Sequence, residues 1–138
     1  MTSNGIEYGE LTVILPTLNE GETIVHMLDA IMDLYPSSRI LVVDDSSQDR
    51  TAQKVRDYSR FNPNVSLLDR TGMERGLSAS IMDGIVSCRT RYFVVMDADF
   101  QHPPEAVGKV MSSLLSGDDV VVGVREDRGS LSLGRRLG

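Results

Sequence analysis

Five short runs of β-branched and aliphatic residues, 11–15 (LTVIL), 40–43 (ILVV), 65–68 (VSLL), 92–96 (YFVVM) and 120–124 (VVVGV), recur along the chain with helix-period sequence between them. Each run is short, bounded by turn residues and apolar throughout, the pattern of a strand covered on both faces in a parallel sheet. Between the first two, Ile24, Leu28, Ile31 and Tyr35 fall at three- and four-residue steps, with Val25 and Met32 widening the stripe of a helix over 20–35. Asn19 followed by Glu22 reads as a capping-box variant at its start. A weaker stripe of Ala52, Val55 and Tyr58 marks 49–60, and Leu77, Ile81, Ile85 and Cys88 mark 75–88. Pro103 and Pro104 suit a first helical turn, where a missing amide donor costs little, and Val107, Val110, Met111 and Leu114 continue that helix. The order strand, helix, strand, repeated to a fifth strand, predicts an α/β domain with a mostly parallel sheet and right-handed crossovers.

At 138 residues the chain has room for one domain with a proper core. Its net charge of -6 argues against sequence-independent nucleic-acid binding, which needs a dense set of Lys and Arg to displace phosphate counterions. Arg125, Arg128, Arg135 and Arg136, with Arg70 and Arg75, are the candidates for a local basic cluster. The single cysteine, Cys88, excludes an internal disulfide and any multi-cysteine metal site, and reads as a small buried apolar residue on a helix. Met27, Met32, Met82, Met96 and Met111 read as core fillers, and His26 as a surface residue. No signal-peptide layout and no membrane-spanning apolar run is visible, so the expectation is a soluble chain. After Val124 the sequence turns polar and glycine-rich (REDRGSLSLGRRLG), and the expectation there is the start of an incomplete region.

Ligands in open α/β sheets bind beyond the carboxyl ends of the strands, so the residues placed there carry the chemistry. Those ends read PTLNEGE, DDSSQDRT, DRTGMERG, DADFQHPPE and REDRG. In an extended segment after the fourth strand, Asp97, Asp99 and Gln101 point one way while Ala98 and Phe100 point the other. Two carboxylates and an amide oxygen then come within reach of one hard cation, Mg²⁺ or Mn²⁺, which favours oxygen ligands and keeps positions for water and phosphates. His102 reads more simply as part of a turn entering the next helix than as an acid–base group. After the second strand, one carboxylate of Asp44 and Asp45 can accept hydrogen bonds from a nucleotide base or ribose, while Ser47, Asp49 or Thr51 can cap the following helix.

Taken together, VILPTLNE (13–20), ILVVDDSSQDRT (40–51), RTGMERGLSASIMDGI (70–85), VVMDADFQHPPE (94–105) and DDVVVGVR (118–125) resemble, in order and spacing, the nucleotide-binding half of family 2 glycosyltransferases with the GT-A fold. The MDADFQHPPE segment is most similar to the polyprenol-phosphate sugar transferases, the group that includes dolichol-phosphate mannose synthases. The resemblance implies a Rossmann-like three-layer sandwich, with 1–125 as the nucleotide-sugar-binding domain and 126–138 as the start of an incomplete acceptor-side region. It also implies inverting, metal-dependent transfer of a sugar to a polyprenol or dolichyl phosphate. GDP-mannose is the expected donor, with a UDP-sugar such as UDP-glucose as the alternative. A nucleotide-binding module without turnover is the reading from another class.

By the same resemblance, Pro16, Thr17 and Glu20 line the base and ribose pocket, Asp45 falls where a carboxylate meets the base or ribose, with Asp44 beside it as a further nucleotide-binding candidate, and Arg70 lies beside the nucleotide. Asp97, Asp99 and Gln101 match the metal and diphosphate motif, Arg125 matches an arginine near the diphosphate, and Asp99 and Arg125 are the expected catalytic residues. Ser46 stands where glycine is usual, Phe100 where leucine is usual and Val124 where serine is usual. The implied acceptor places the enzyme at the cytoplasmic face of a membrane, with any anchor in other sequence. Arg135 and Arg136 read equally as the start of a lipid-phosphate site or as a solvated pair.

Overall fold

The run Leu11–Thr17 forms strand β1, buried at Leu11, Val13, Ile14 and Leu15, and it sits in the middle of the sheet because both of its edges are paired. β2 (Arg39–Asp44) lies parallel to it on one side, in a register that sets Thr17 opposite Asp44, and β4 (Tyr92–Val95) lies parallel on the other. β3 (Val65–Asp69) pairs outside β2, giving a four-stranded parallel sheet in the order β3-β2-β1-β4. The structure, a computed structural model, describes residues 7–117, with 120–125 and 131–137 described as strand backbone.

Helices cover both faces, which completes the three layers. α1 (Ile24–Leu34), α2 (Thr51–Ser59) and α4 (Ala106–Leu115) bury Ile24, Met27, Leu28, Ile31, Val55, Val107 and Met111 against one face. α3 (Leu77–Ser87) covers the other, where Ile14, Leu41 and Val43 form a smaller cluster with Leu68, Ile85 and Val95. Each fully buried aliphatic side chain contributes about 1.5–3 kcal/mol, so the larger layer dominates the stability. A short 3₁₀ turn, Tyr8–Glu10, leads into β1 and packs Tyr8 against Tyr35 in a tilted pair with ring centroids 4.6 Å apart. The Tyr35 hydroxyl donates to the Pro104 carbonyl and accepts from the Gly108 N–H, both at 3.0 Å, which pins the entry of α4 and the loop before it.

Several expectations are corrected. The fifth run does form a strand, β5 (Val120–Arg125), but it pairs antiparallel with β6 (Leu131–Leu137) in a separate two-stranded sheet. The polar, glycine-rich composition of 131–137 concealed that partner. α1 begins at Ile24 rather than 20, and no capping box forms, because Asn19 adopts φ 56° and accepts the Gln48 N–H instead. Burial on both faces holds for β1 and β2, whereas the outer strands β3 and β4 are mostly half-buried.

On α3, Leu77 and Met82 are exposed, so Met82 is no core filler; the helix meets the sheet through Ser80 and Gly84. A Cβ on Gly84 would lie 2.8 Å from Ile14 Cγ2, so the small residue is what allows the approach. Cys88 is not buried within a helix either. It is the half-buried C-cap of α3.

Candidate functional site

Register alone brings the ends of β1 and β2 together, and side chains then lock them. The Thr17 hydroxyl donates to Asp44 Oδ1 at 2.7 Å, and Ser47 donates its hydroxyl to the same oxygen at 2.6 Å and its N–H to Oδ2 at 3.0 Å. Asp44 is therefore buried with both oxygens occupied inside the protein, a brace between two strand ends.

The loop after β1 is strapped to the loop after β2. Ser47 Oγ accepts from Asn19 N–H, Thr51 Oγ1 from Glu20 N–H and Asp49 Oδ2 from Gly21 N–H, while Lys54 donates to the Gly21 carbonyl. The Thr51 hydroxyl, with the Thr51 and Gly21 N–H groups, holds the Asp49 carboxyl below the usual carboxylate range. Pro16, half-buried, precedes this strap on β1.

Asp45 meets a different partner. Its Oδ1 accepts from Arg70 Nη1 at 2.5 Å and its Oδ2 from the Gly76 N–H at 2.9 Å. Arg70, 2% exposed, also donates Nε to Asp83 Oδ2 at 2.8 Å, Nη1 to Ser80 and Nη2 to the Glu74 carbonyl. Pairing with Asp83 and Asp45 raises the guanidinium above its ordinary value against the opposing effect of burial. Arg70 thus organises Asp45 and the start of α3 from beneath. Asp83 and Ser80 were invisible to sequence reading, because a carboxylate and a hydroxyl on a helix carry no signal of a partner strand.

After β4 the chain does not stay extended. The strand ends at Val95, Ala98 is buried, and Phe100 adopts φ 63° with its ring exposed. The alternation expected for 97–101 is replaced by a tight turn. Asp99 Oδ1 accepts the Gln101 N–H at 3.1 Å, and the Asp97 N–H donates to His102 Nδ1 at 3.2 Å, so His102 closes the turn. Thr23 at the head of α1 donates to the Ala98 carbonyl, which ties this turn to the β1 loop.

The result is an acidic mouth. Burial raises the Glu20 carboxyl first, and the charges of Asp99, Asp97 and Asp49 push it further, so four carboxylates from three loops share one electrostatic neighbourhood. Among the described residues no three His, Cys, Asp or Glu side chains are close enough to form a ready cage for a metal. The donor set still fits a hard cation. Asp97 and Asp99 supply oxygens on partly exposed side chains, and Mg²⁺-type ions are commonly held by one or two carboxylates with water and substrate phosphates completing the shell. Gln101, also expected as a ligand, is exposed on the same turn. Arg125 closes β5 and its side chain lies outside the described residues. Of the other arginines considered, Arg128 lies outside them as well, as do the side chains of Arg135 and Arg136.

Residues 12–137 match the family model described as Glycosyl transferase family 2. The chain belongs to that family. Curated family 2 relatives include a dolichol-phosphate mannosyltransferase of Pyrococcus furiosus, 38% identical over 122 residues that cover 87% of this chain and 34% of the relative. A dolichol-phosphate mannosyltransferase of Saccharomyces cerevisiae is 34% identical over 110 residues, covering 76% of this chain and 41% of the relative. Among solved structures, a mannosyltransferase from Pyrobaculum calidifontis in complex with GDP-Man and Mn²⁺ superposes with a TM-score of 0.70 at 26% identity, covering 86% of this chain and 36% of that one. The family 2 chain described here therefore spans only 34% to 41% of the length of these two curated relatives. Its architecture is GT-A, with the acidic turn after β4 at the carboxyl end of the sheet.

Proposed function

We propose that this chain is the donor-binding part of a metal-dependent, inverting glycosyltransferase that moves mannose from GDP-mannose to a polyprenol phosphate such as dolichyl phosphate. The observation that carries the reading is that the turn bearing Asp97 and Asp99 is tied through the Thr23 hydroxyl and the Ala98 carbonyl to the loop bearing Glu20, beside strand ends braced by Thr17–Asp44 and Asp45–Arg70. The names of the relatives supply the sugar, the nucleotide and the acceptor class.

Asp45 is the carboxylate that meets base or ribose. Its two oxygens offer about four lone-pair sites, of which Arg70 and Gly76 take two. Pro16, Thr17 and Glu20 form the wall of the pocket, and Asp44 keeps that wall in register. Asp97 and Asp99, with Gln101 beside them, hold the divalent cation, Mg²⁺ or Mn²⁺. When bound, that ion supplies charge stabilisation to the departing diphosphate. Arg125 lies near the same diphosphate. The acceptor phosphate is already largely ionised near neutral pH, its second pKa being about 6, so the chain needs no strong general base. The acceptor brings the reaction to the cytoplasmic face of a membrane, although no helix among the described residues is long and apolar enough to cross one.

Calorimetric titration with GDP and with UDP, each with and without Mn²⁺, tests the donor site. Metal-dependent binding of GDP over UDP is expected; preference for UDP would move the donor to a UDP-sugar, and binding of neither would overturn the reading. Sugar transfer to polyprenol phosphate above a no-enzyme control separates an active transferase from a module that only binds the donor.

A further inference from the structure

At the opposite end of the same strands lies a second concavity, a cavity of about 360 Å³, within the size range of small-molecule sites. Its wall is built by the parallel register: Arg39 opens β2 beside Thr12 of β1, and Ser66 of β3 lies opposite Leu41. The C-terminal end of α3 closes it with Ser87, Cys88 and Arg89, and Ile40 and Leu41 complete the lining.

The charge of this cavity is what sets it apart. Among the described residues no carboxylate lines it. Arg39 and Arg89, like Arg50, Arg75 and Arg91, have no acidic partner among the described residues; what distinguishes these two is that both line one cavity. The Ser66 and Ser87 hydroxyls face no hydrogen-bond partner within the described protein either, in contrast to Thr12, whose hydroxyl lies 2.6 Å from that of Thr90. The end of α3 brings about half a negative charge, which two whole guanidinium charges outweigh. A chain of net charge -6 thus places two arginines and two exposed serine hydroxyls around one hollow, at the opposite end of the strands from its acidic mouth.

We infer that this cavity is a phosphate-binding site, taking a phosphate or diphosphate group between Arg39 and Arg89 with Ser66 and Ser87 donating to it. The guanidinium fork matches phosphate oxygens in a bidentate manner. The site is separate from the donor pocket and does not depend on the reading of that pocket.

Cys88, the chain's single thiol, lines the cavity and reports its occupancy. Burial pushes the thiol up, and the Thr12 and Thr90 hydroxyls with the Thr90 N–H more than offset this, leaving it below its ordinary range and open to alkylation. The rate of Cys88 alkylation by iodoacetamide is measured with chelator present, at constant ionic strength set with chloride, while inorganic pyrophosphate is titrated in. Saturable protection is expected, about tenfold at a concentration ten times the dissociation constant, since only the empty form reacts.

The double substitution Arg39→Gln with Arg89→Gln, both at exposed positions, should abolish protection while the circular dichroism spectrum stays unchanged. Should that variant lose its fold, each single substitution is expected to weaken protection at least severalfold. A phosphate group arrives either on a soluble molecule or on a lipid headgroup, so a parallel arm uses phosphatidate-containing vesicles against phosphatidylcholine vesicles. Protection by phosphatidate alone assigns the site to a lipid headgroup, and protection by pyrophosphate assigns it to a soluble phosphate. Unprotected alkylation in both arms, or protection that survives loss of both arginines, would overturn the site.

Discussion

Arg70 holds Asp45 from below: Nη1 donates to Asp45 Oδ1 at 2.5 Å while Nε is anchored 2.8 Å from Asp83 Oδ2. The guanidinium is 2% exposed, so under the proposed function it acts on the nucleotide through Asp45 without touching it, whereas the resemblance implied a place beside the nucleotide. Its planar fork serves Asp45, Asp83, Ser80 and the Glu74 carbonyl at once, which a single ammonium cannot do. Arg70→Lys is therefore expected to lower the melting temperature and to weaken GDP binding together. Asp83→Asn should weaken binding less, since Asp45 keeps its own bond to Arg70. Thermal melts paired with calorimetry check this; a lysine variant with unchanged affinity would refute the positioning role.

Glu20 pits stability against binding. Burial and the charges of Asp99 and Asp97 raise its pKa from the ordinary 4.5. A carboxyl raised in the folded state contributes stability that is fully present below the unfolded pKa and lost as pH rises through the folded value. Above that folded value the contribution is gone, and the charged group is a net burden on the empty protein. Glu20→Gln is expected to raise the melting temperature at pH 7 without metal, and to narrow the gap below pH 4. The same variant should lose most of the stabilisation that Mn²⁺ with GDP gives the wild type. Melting curves across pH, with and without both ligands, decide it.

Much of this was legible because β1 and β2 announce themselves by uninterrupted aliphatic runs, and because topology then forces Thr17, Asp44 and Asp45 to a common edge. The resemblance singled out Ser46 and Phe100 as departures, and both turn out to have φ above 60°, at 62° and 63°. What period and composition could not show was pairing between distant polar groups. Asp83 looks like an ordinary surface charge in the sequence, nothing there pairs it with Arg70, and Asn19 looks like a cap. The turn at 97–102 escaped for a related reason: a left-handed Phe100 breaks the period-two pattern that an extended reading assumes. β6 escaped because its strand has Gly134, Arg135 and Arg136 where an apolar run would have marked it.

Asp99→Ala should abolish metal-dependent nucleotide binding, with a loss above tenfold, or about 1.4 kcal/mol. Asp99 also accepts the Gln101 N–H, so the alanine variant loosens the turn. Asp99→Asn separates the two effects, since its amide oxygen can keep that bond while the charge is lost. Equal affinity with and without Mn²⁺ in both variants is the expected result. Retained Mn²⁺ dependence in Asp99→Asn would remove the carboxylate from the metal site.

Thr17 tests whether the strand-end brace matters apart from any ligand contact. Thr17→Val keeps shape and burial but removes the 2.7 Å hydrogen bond to Asp44 Oδ1. A hydrogen bond to a charged group is worth about 1.5–3 kcal/mol, and the Ser47 hydroxyl and N–H still satisfy Asp44, which puts the expected loss near the lower figure. Denaturant melts measure that loss. If the brace also sets the pocket, GDP affinity should fall further in Thr17→Val than in Ser47→Ala, because the Thr17 hydroxyl is the side chain that ties β1 to the Asp44 carboxylate. The reverse order would mean that the loop after β2, and not the junction of the two strands, shapes the nucleoside side of the site.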